Sequence, residues 1–192
     1  MNYYHEITLI PGVDIGLYFL WEKIYNRLHL KLVDFQDEKG IVPFGVSFPG
    51  YKCEPISLGN KLRLFSNDEE SLSKLEVRKI ISMFSDYAHL TSIRPIPKTV
   101  ADYVCFQRVQ GKTNKERLAR RKAKREKISL KEALKKLEGF SEDEIELPHI
   151  YMQSKSTSSR FPLYIKRVTK ERNDLQEFNT YGLSKNSTVP VF

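Results

Sequence analysis

The chain has 192 residues, 40% of them hydrophobic, with 32 Lys and Arg against 24 Asp and Glu, a formal net charge of +8. This suffices for one sizeable domain or two small ones and excludes a disordered, collagen-like or low-complexity chain. No window approaches the ~20 apolar residues of a membrane span, the Met1–Glu6 start predicts no signal peptide, and the two cysteines, Cys53 and Cys105, read as reduced residues of a cytoplasmic protein.

In chain order, Tyr3 to Leu9 predicts a strand. Asp14 is placed to cap a helix running to about Asp34, with Leu17, Leu20, Trp21, Ile24, Leu28 and Leu32 on its apolar side. Val42 to Phe48 and Lys61 to Phe65 predict two further strands. Asn67 with Glu70 resembles a capping box opening a helix to about Met83, and Ala88 to Ile93 completes a β-α-β-β-α-β order. That order is the ferredoxin-like pattern, also used by RNA-recognition modules, although no aromatic RNP1 signature is present. Pro95 and Pro97 suggest a boundary, giving residues 1–97 and 98–192 as domains of an α+β protein.

The second half opens with a strand over Tyr103 to Val109. Thr113 with Glu116, and Ser129 with Glu132, are capping boxes. The first opens a basic helix over about 114–127. The second opens a helix whose Leu130, Ala133, Leu134 and Leu137 share a face. Ser141 with Glu144 suggests a short turn, followed by strands over His149–Gln153, Phe161–Val168 and Phe178–Leu183 with a Ser-rich loop between the first two.

Charge is concentrated rather than spread. Gln107 to Lys136 holds 13 basic and three acidic residues, so the rest of the chain is slightly acidic. Such a block attracts a polyanion through counterion release. A membrane-surface helix would show an opposite face of large apolar side chains, but from Lys115 to Lys127 only Leu118, Ala119 and Ala123 are apolar. Arg117, Arg121, Lys124 and Arg125 share one helix face, with Arg120, Lys124 and Lys127 beside it. Guanidinium forks can contact phosphates and guanine edges, in a B-form groove or at the opened end of an RNA hairpin.

No metal-binding spacing, P-loop or nucleophile elbow occurs, so neither metal nor cofactor is expected. His29 follows Trp21 and Tyr25 at helical spacing and, taken alone, reads as an ordinary structural or surface histidine. RNA can be cut without metal when its 2′-OH attacks the adjacent phosphate. A histidine then suits the general base and a serine or tyrosine hydroxyl can hold the nucleophile. The serines of the 153–159 stretch could supply it, or form only a polar loop.

The chain resembles the Csy-type CRISPR-associated endoribonucleases of type I-F systems, which process precursor CRISPR RNA. The resemblance is carried in order along the chain by His29, Gly45-Val46-Ser47-Phe48-Pro49, Arg108-Val109-Gln110-Gly111-Lys112, Glu116-Arg117-Leu118, Arg120-Arg121, Ser154-Lys155-Ser156-Thr157, Phe161 and Tyr181-Gly182-Leu183-Ser184-Lys185. It implies a ferredoxin-like domain followed by a domain bearing an arginine-rich helix. It also implies that His29 deprotonates the 2′-OH, that Ser154 constrains that hydroxyl and that Tyr181 supports the site. Arg108 and Gln110 are implied to read base edges at the foot of the repeat hairpin, and Phe161 to stack under its terminal pair. Arg117 belongs to the same basic helix, whose Arg120, Arg121, Lys124 and Arg125 are implied to lie in the hairpin's major groove, with Ser156 and Thr157 supporting the loop. Lys124 stands where the family pattern has arginine, and lysine lacks the planar fork. The implied partners are the repeat hairpin and other subunits of a type I-F interference complex, with no membrane. The readings set against this one are a non-catalytic RNA-hairpin binder and a DNA-binding regulator.

Overall fold

A computed structural model describes residues 1–110, 115–139, 145–154 and 157–192. Its elements are β1 (Tyr3–Leu9), α1 (Leu17–Val33), β2 (Ile41–Val42), β3 (Gly45–Ser47), β4 (Lys52–Cys53), β5 (Ile56–Ser57), β6 (Lys61–Ser66), α2 (Glu69–Lys74), α3 (Val77–Ile81), β7 (Ala88–Leu90), β8 (Arg94–Pro95), β9 (Asp102–Val109), α4 (Lys115–Glu126), α5 (Leu130–Lys135), β10 (His149–Gln153), β11 (Arg160–Lys170), β12 (Phe178–Asn179) and β13 (Val189–Val191). The protein is α+β, with antiparallel sheets.

Two compact units divide the chain, residues 1–108 with 147–192, and residues 109–146. The units therefore do not part at residue 97. Strand β9, past that point, pairs with β13 through Val104↔Val189, and its Val104 and Phe106 belong to the same buried cluster as the first half of the chain.

The larger unit holds two main sheets. In the first the order is β3-β6-β1-β7, with β8 also on β1. Strand β1 runs antiparallel to β6 from Tyr3↔Ser66 to Thr8↔Lys61 and to β7 from Ile7↔Leu90 to Leu9↔Ala88. Helix α1 is the crossover between β1 and β3, and α2 with α3 that between β6 and β7. The second sheet has the order β10-β11-β9-β13, which leaves β10 at an edge.

Helix α1 forms as its periodicity predicts. Leu20, Trp21, Ile24, Tyr25, Leu28 and Leu32 are all buried. They join Leu62, Leu64 and Phe65 of β6 and Ile150, Met152, Leu163 and Ile165 of β10 and β11 in one core. Each such side chain contributes about 1.5–3 kcal/mol by leaving water, so α1 is anchored against both sheets. Cys105 is buried and Cys53 exposed, both as free thiols.

Several local expectations are corrected. Asp14 does not cap α1. Gly16 occupies the N-cap without a side-chain bond, and Asp14 instead accepts from the Tyr87 hydroxyl at 2.7 Å. The helix expected from Asn67 to Met83 is capped by Asp68, whose carboxylate accepts from Ser71 N. It is then broken at Glu76, which adopts a left-handed conformation at φ 49°. The expected strand over 42–48 is split into β2 and β3, and that over 178–183 shortens to β12 before a turn.

The described residues of the smaller unit, considered by themselves, form a helix pair, α4 and α5. Ser129 and Glu132 form the expected reciprocal capping box at α5. Ala119 of α4 and Ala133 of α5 are fully buried, which lets two small faces approach closely, and Lys136 bridges to Glu126 at 3.0 Å. Lys127, left-handed at φ 55°, ends α4. The expected caps at Thr113 and Ser141 lie outside the described residues.

Candidate active site

Next to its buried stripe, α1 carries a second, half-buried one: Glu22, Asn26 and His29. His29 Nδ1 lies 2.8 Å from the Thr180 carbonyl oxygen. A carbonyl can only accept, so Nδ1 carries the proton, and in the neutral ring Nε2 keeps the lone pair. The His29 ring also stacks on Tyr181, with centroids 4.1 Å apart and planes 11° apart. One hydrogen bond and one stacked face together fix the imidazole in rotation and tautomer, which is what a directed proton acceptor requires.

The turn that supplies both contacts is built from its own sequence. Asn179 Oδ1 accepts from the amides of Tyr181 (2.9 Å) and Leu183 (3.3 Å). Asn179 and Leu183 bond through their backbones, Val46 N donates to Gly182 O at 2.9 Å and Ser184 N to Phe106 O at 2.9 Å. Gly182 makes the turn possible with φ +70°. The buried Tyr25 hydroxyl donates to Tyr181 O at 2.8 Å. Burial pushes the Tyr25 phenol well above its ordinary pKa, so it stays a donor.

Arg108, near the end of β9, lies over two rings: its guanidinium carbon is 5.1 Å from the Tyr181 centroid and 5.6 Å from that of Phe161. His29 of α1, Tyr181 of the turn after β12, Arg108 of β9 and Phe161 of β11 thus form one continuous series of ring contacts. The guanidinium gives it a fixed positive charge.

Ser154 follows β10. Its amide donates to Ser159 O at 2.9 Å, and its hydroxyl oxygen accepts from Thr157 N at 3.3 Å. Thr157 and Ser159 hydroxyls bond at 2.6 Å. Thr157 is exposed, and Ser156 lies outside the described residues. Gln153, just before Ser154, is tied to α1, its amide donating to Asn26 Oδ1 at 2.8 Å. Asn26 stands one turn before His29 and carries the side-chain bonds that link α1 to this strand; nothing in the residue types marked it out beyond its shared stripe with His29. Thr180, as a backbone acceptor, had no sequence signal at all.

Within the smaller unit, Arg120, Arg121, Lys124 and Arg125 are exposed along α4, and Gln110 is exposed before it. Arg117 falls within α4. Arg120 lies 3.7 Å from Glu116 and Arg125 3.6 Å from Glu126. Exposed pairs of this kind are worth about 0–1 kcal/mol and leave the cations available to a polyanion. Among the described residues, no cluster of three or more His, Cys, Asp or Glu is arranged to hold a metal, and no helix is long and apolar enough to cross a membrane.

Against known proteins, a family model described as CRISPR-associated protein (Cas_Csy4) matches residues 4–192. The chain belongs to the Cas_Csy4 family. Two curated relatives extend the match over the full length of both chains. One, from Escherichia coli (strain UTI89 / UPEC), is 30% identical over 193 residues. The other, from Pseudomonas aeruginosa (strain UCBPP-PA14), is 31% identical over 196. Both are named CRISPR-associated endonuclease Cas6/Csy4.

Proposed function

We propose that this Cas_Csy4 protein is the endoribonuclease that matures precursor CRISPR RNA. It binds the repeat hairpin, cuts at its base and stays with the product guide RNA, acting in the cytoplasm with other subunits of a type I-F interference complex. The observation that carries the reading is the oriented His29 imidazole, held by the Thr180 carbonyl and stacked on Tyr181, in a chain whose full-length relatives are named endonucleases. The strand order β3-β6-β1-β7 with two helical crossovers supports a ferredoxin-like first domain.

In the reaction, His29 Nε2 takes the proton of the 2′-OH as that oxygen bonds to the adjacent phosphorus. The P–O5′ bond breaks, the departing 5′ oxygen takes a proton from solvent while His29 gives its own back to solvent, and a 2′,3′-cyclic phosphate remains. No water and no redox partner is consumed, and no metal is required. Ser154 holds the attacking hydroxyl in line, and Tyr181 sets the plane of the imidazole. Arg108 and Gln110 read bases at the foot of the stem, Phe161 supports its last pair, and Ser156 and Thr157 support the loop. The cations of α4, Arg117, Arg120, Arg121, Lys124 and Arg125, take the hairpin's phosphates and groove edges.

The test is incubation with the cognate repeat RNA in excess EDTA, with product ends read by mass spectrometry. One cut at the hairpin base, leaving a cyclic phosphate, is the expected result. Binding without cutting would make the protein a hairpin-binding subunit instead, and cutting restored only by added divalent ions would overturn the mechanism.

A further inference from the structure

Strand β10 is the open edge of the second sheet, so alternate amides and carbonyls point away from β11. Pro148 O accepts from Ile165 N and Ser154 N donates to Ser159 O, so in this register the backbone groups of Tyr151 and Gln153 are among those that point away. An edge like this must be covered or left to water. Asn26 of α1 covers it with one amide side chain: Nδ2 donates to Tyr151 O at 3.0 Å and Oδ1 accepts from Gln153 N at 2.8 Å. The same Nδ2 donates to Glu22 O, one turn back, at 2.6 Å, which holds the side chain against its own helix. A parallel link, Arg160 to Glu22 at 2.7 Å, has its arginine side chain 58% exposed, so it contributes little.

The clamp sits at a consequential place. Three residues after Asn26 on the helix is His29, and one residue after Gln153 on the strand is Ser154. The general base and the hydroxyl that holds the nucleophile come from segments far apart in the chain, and Asn26 joins the helix of one to the strand that leads into the other.

We propose that Asn26 is a positioning residue for RNA cleavage: by bonding two edge groups of β10, Tyr151 O and Gln153 N, it sets Ser154 in register with His29, and so fixes the line of 2′-OH attack. The proposal rests on the reading of His29 and Ser154 as the reacting pair. A misplacement of about 1 Å at a reacting centre costs on the order of 10²-fold in rate, whereas binding of the stem falls to other residues.

The experiment is single-turnover cleavage by Asn26→Ala and Asn26→Asp, with protein in excess over the Kd of each. It is paired with affinity for a hairpin made uncleavable by a 2′-deoxy at the cut site. Both variants are expected to cut about 10- to 100-fold more slowly, with affinity within about twofold of wild type. In Asn26→Ala the pH at half-maximal rate should stay unchanged, because the base itself is intact and no charge is added beside it. Asn26→Asp preserves size, so its loss shows that the amide's donor is needed: its second oxygen faces the Tyr151 and Glu22 carbonyls. Thermal melts of both variants fix a working temperature at which each is folded. Cutting by folded Asn26→Ala within twofold of wild type would overturn the proposal, as would rate and affinity falling together. His29→Ala, run alongside, separates the failures: if it cuts normally, the reading of the site is wrong whatever Asn26 does.

Discussion

Replacing His29 with alanine is expected to lower the single-turnover cutting rate by about 10³-fold and to leave hairpin affinity within about twofold. Removing a positioned general base typically costs 10²–10⁴, and the proposed base is held by two contacts, Thr180 O at 2.8 Å and the Tyr181 ring. Losing the stacked pair costs the fold only about 0.5–1.5 kcal/mol, and α1 stays anchored by six buried side chains. On the proposed reading the affinity rests on cations of α4 and on Arg108, which the substitution leaves in place. Titrating the variant with uncleavable hairpin and following cleavage of the normal one separates the two quantities. A variant that cuts at the wild-type rate would remove His29 from the chemistry.

The second large effect belongs to Gly182→Ala. At φ +70° an alanine is strained by about 1–3 kcal/mol. Its methyl would also collide with Val46 Cγ2, with Phe44 O 3.5 Å away. Val46 is 1% exposed and is paired with Leu64 across β3 and β6, so it has no room to yield. Overpacking adds about 1–3 kcal/mol, for an expected loss of about 2–6 kcal/mol in urea unfolding. The turn that must move also holds Thr180 O and the Tyr181 ring, so the folded fraction should cut at least about 10²-fold more slowly. Unfolding free energy within 0.5 kcal/mol of wild type would show that the turn relaxes freely, contrary to this packing argument.

Some of this was legible in the residues because a repeating pattern wrote it there. The apolar spacing from Leu20 to Leu32 marked α1, and Ser129 with Glu132 marked the start of α5, since both signals are local. The family signature was legible as an ordered set spread along the whole chain. What failed was decided at a distance. Asp14 has a capping residue's side chain, but Tyr87, far along the chain, takes it. Glu76 breaks a helix with no glycine or proline to announce it. Pro95 and Pro97 look like a boundary, yet β9 beyond them is drawn back into the same core by Val104 and Phe106. Strand β13 is too short to show a period. Of the proposed site, the residue types of His29, Ser154 and Tyr181 were visible, but the contacts around them were not: Thr180 acts through its backbone, and Asn26 is singled out only by the strand edge beside it.

The central claim is that the RNA's own 2′-oxygen is the nucleophile and that His29 takes its proton. The most direct measurement uses repeat hairpins that differ only by a single 2′-deoxyribose immediately upstream of the scissile phosphate. The account predicts that wild-type protein binds both with equal affinity, cuts the ribose form to a cyclic phosphate and leaves the deoxy form whole. Cleavage of the deoxy hairpin at that same linkage would contradict it.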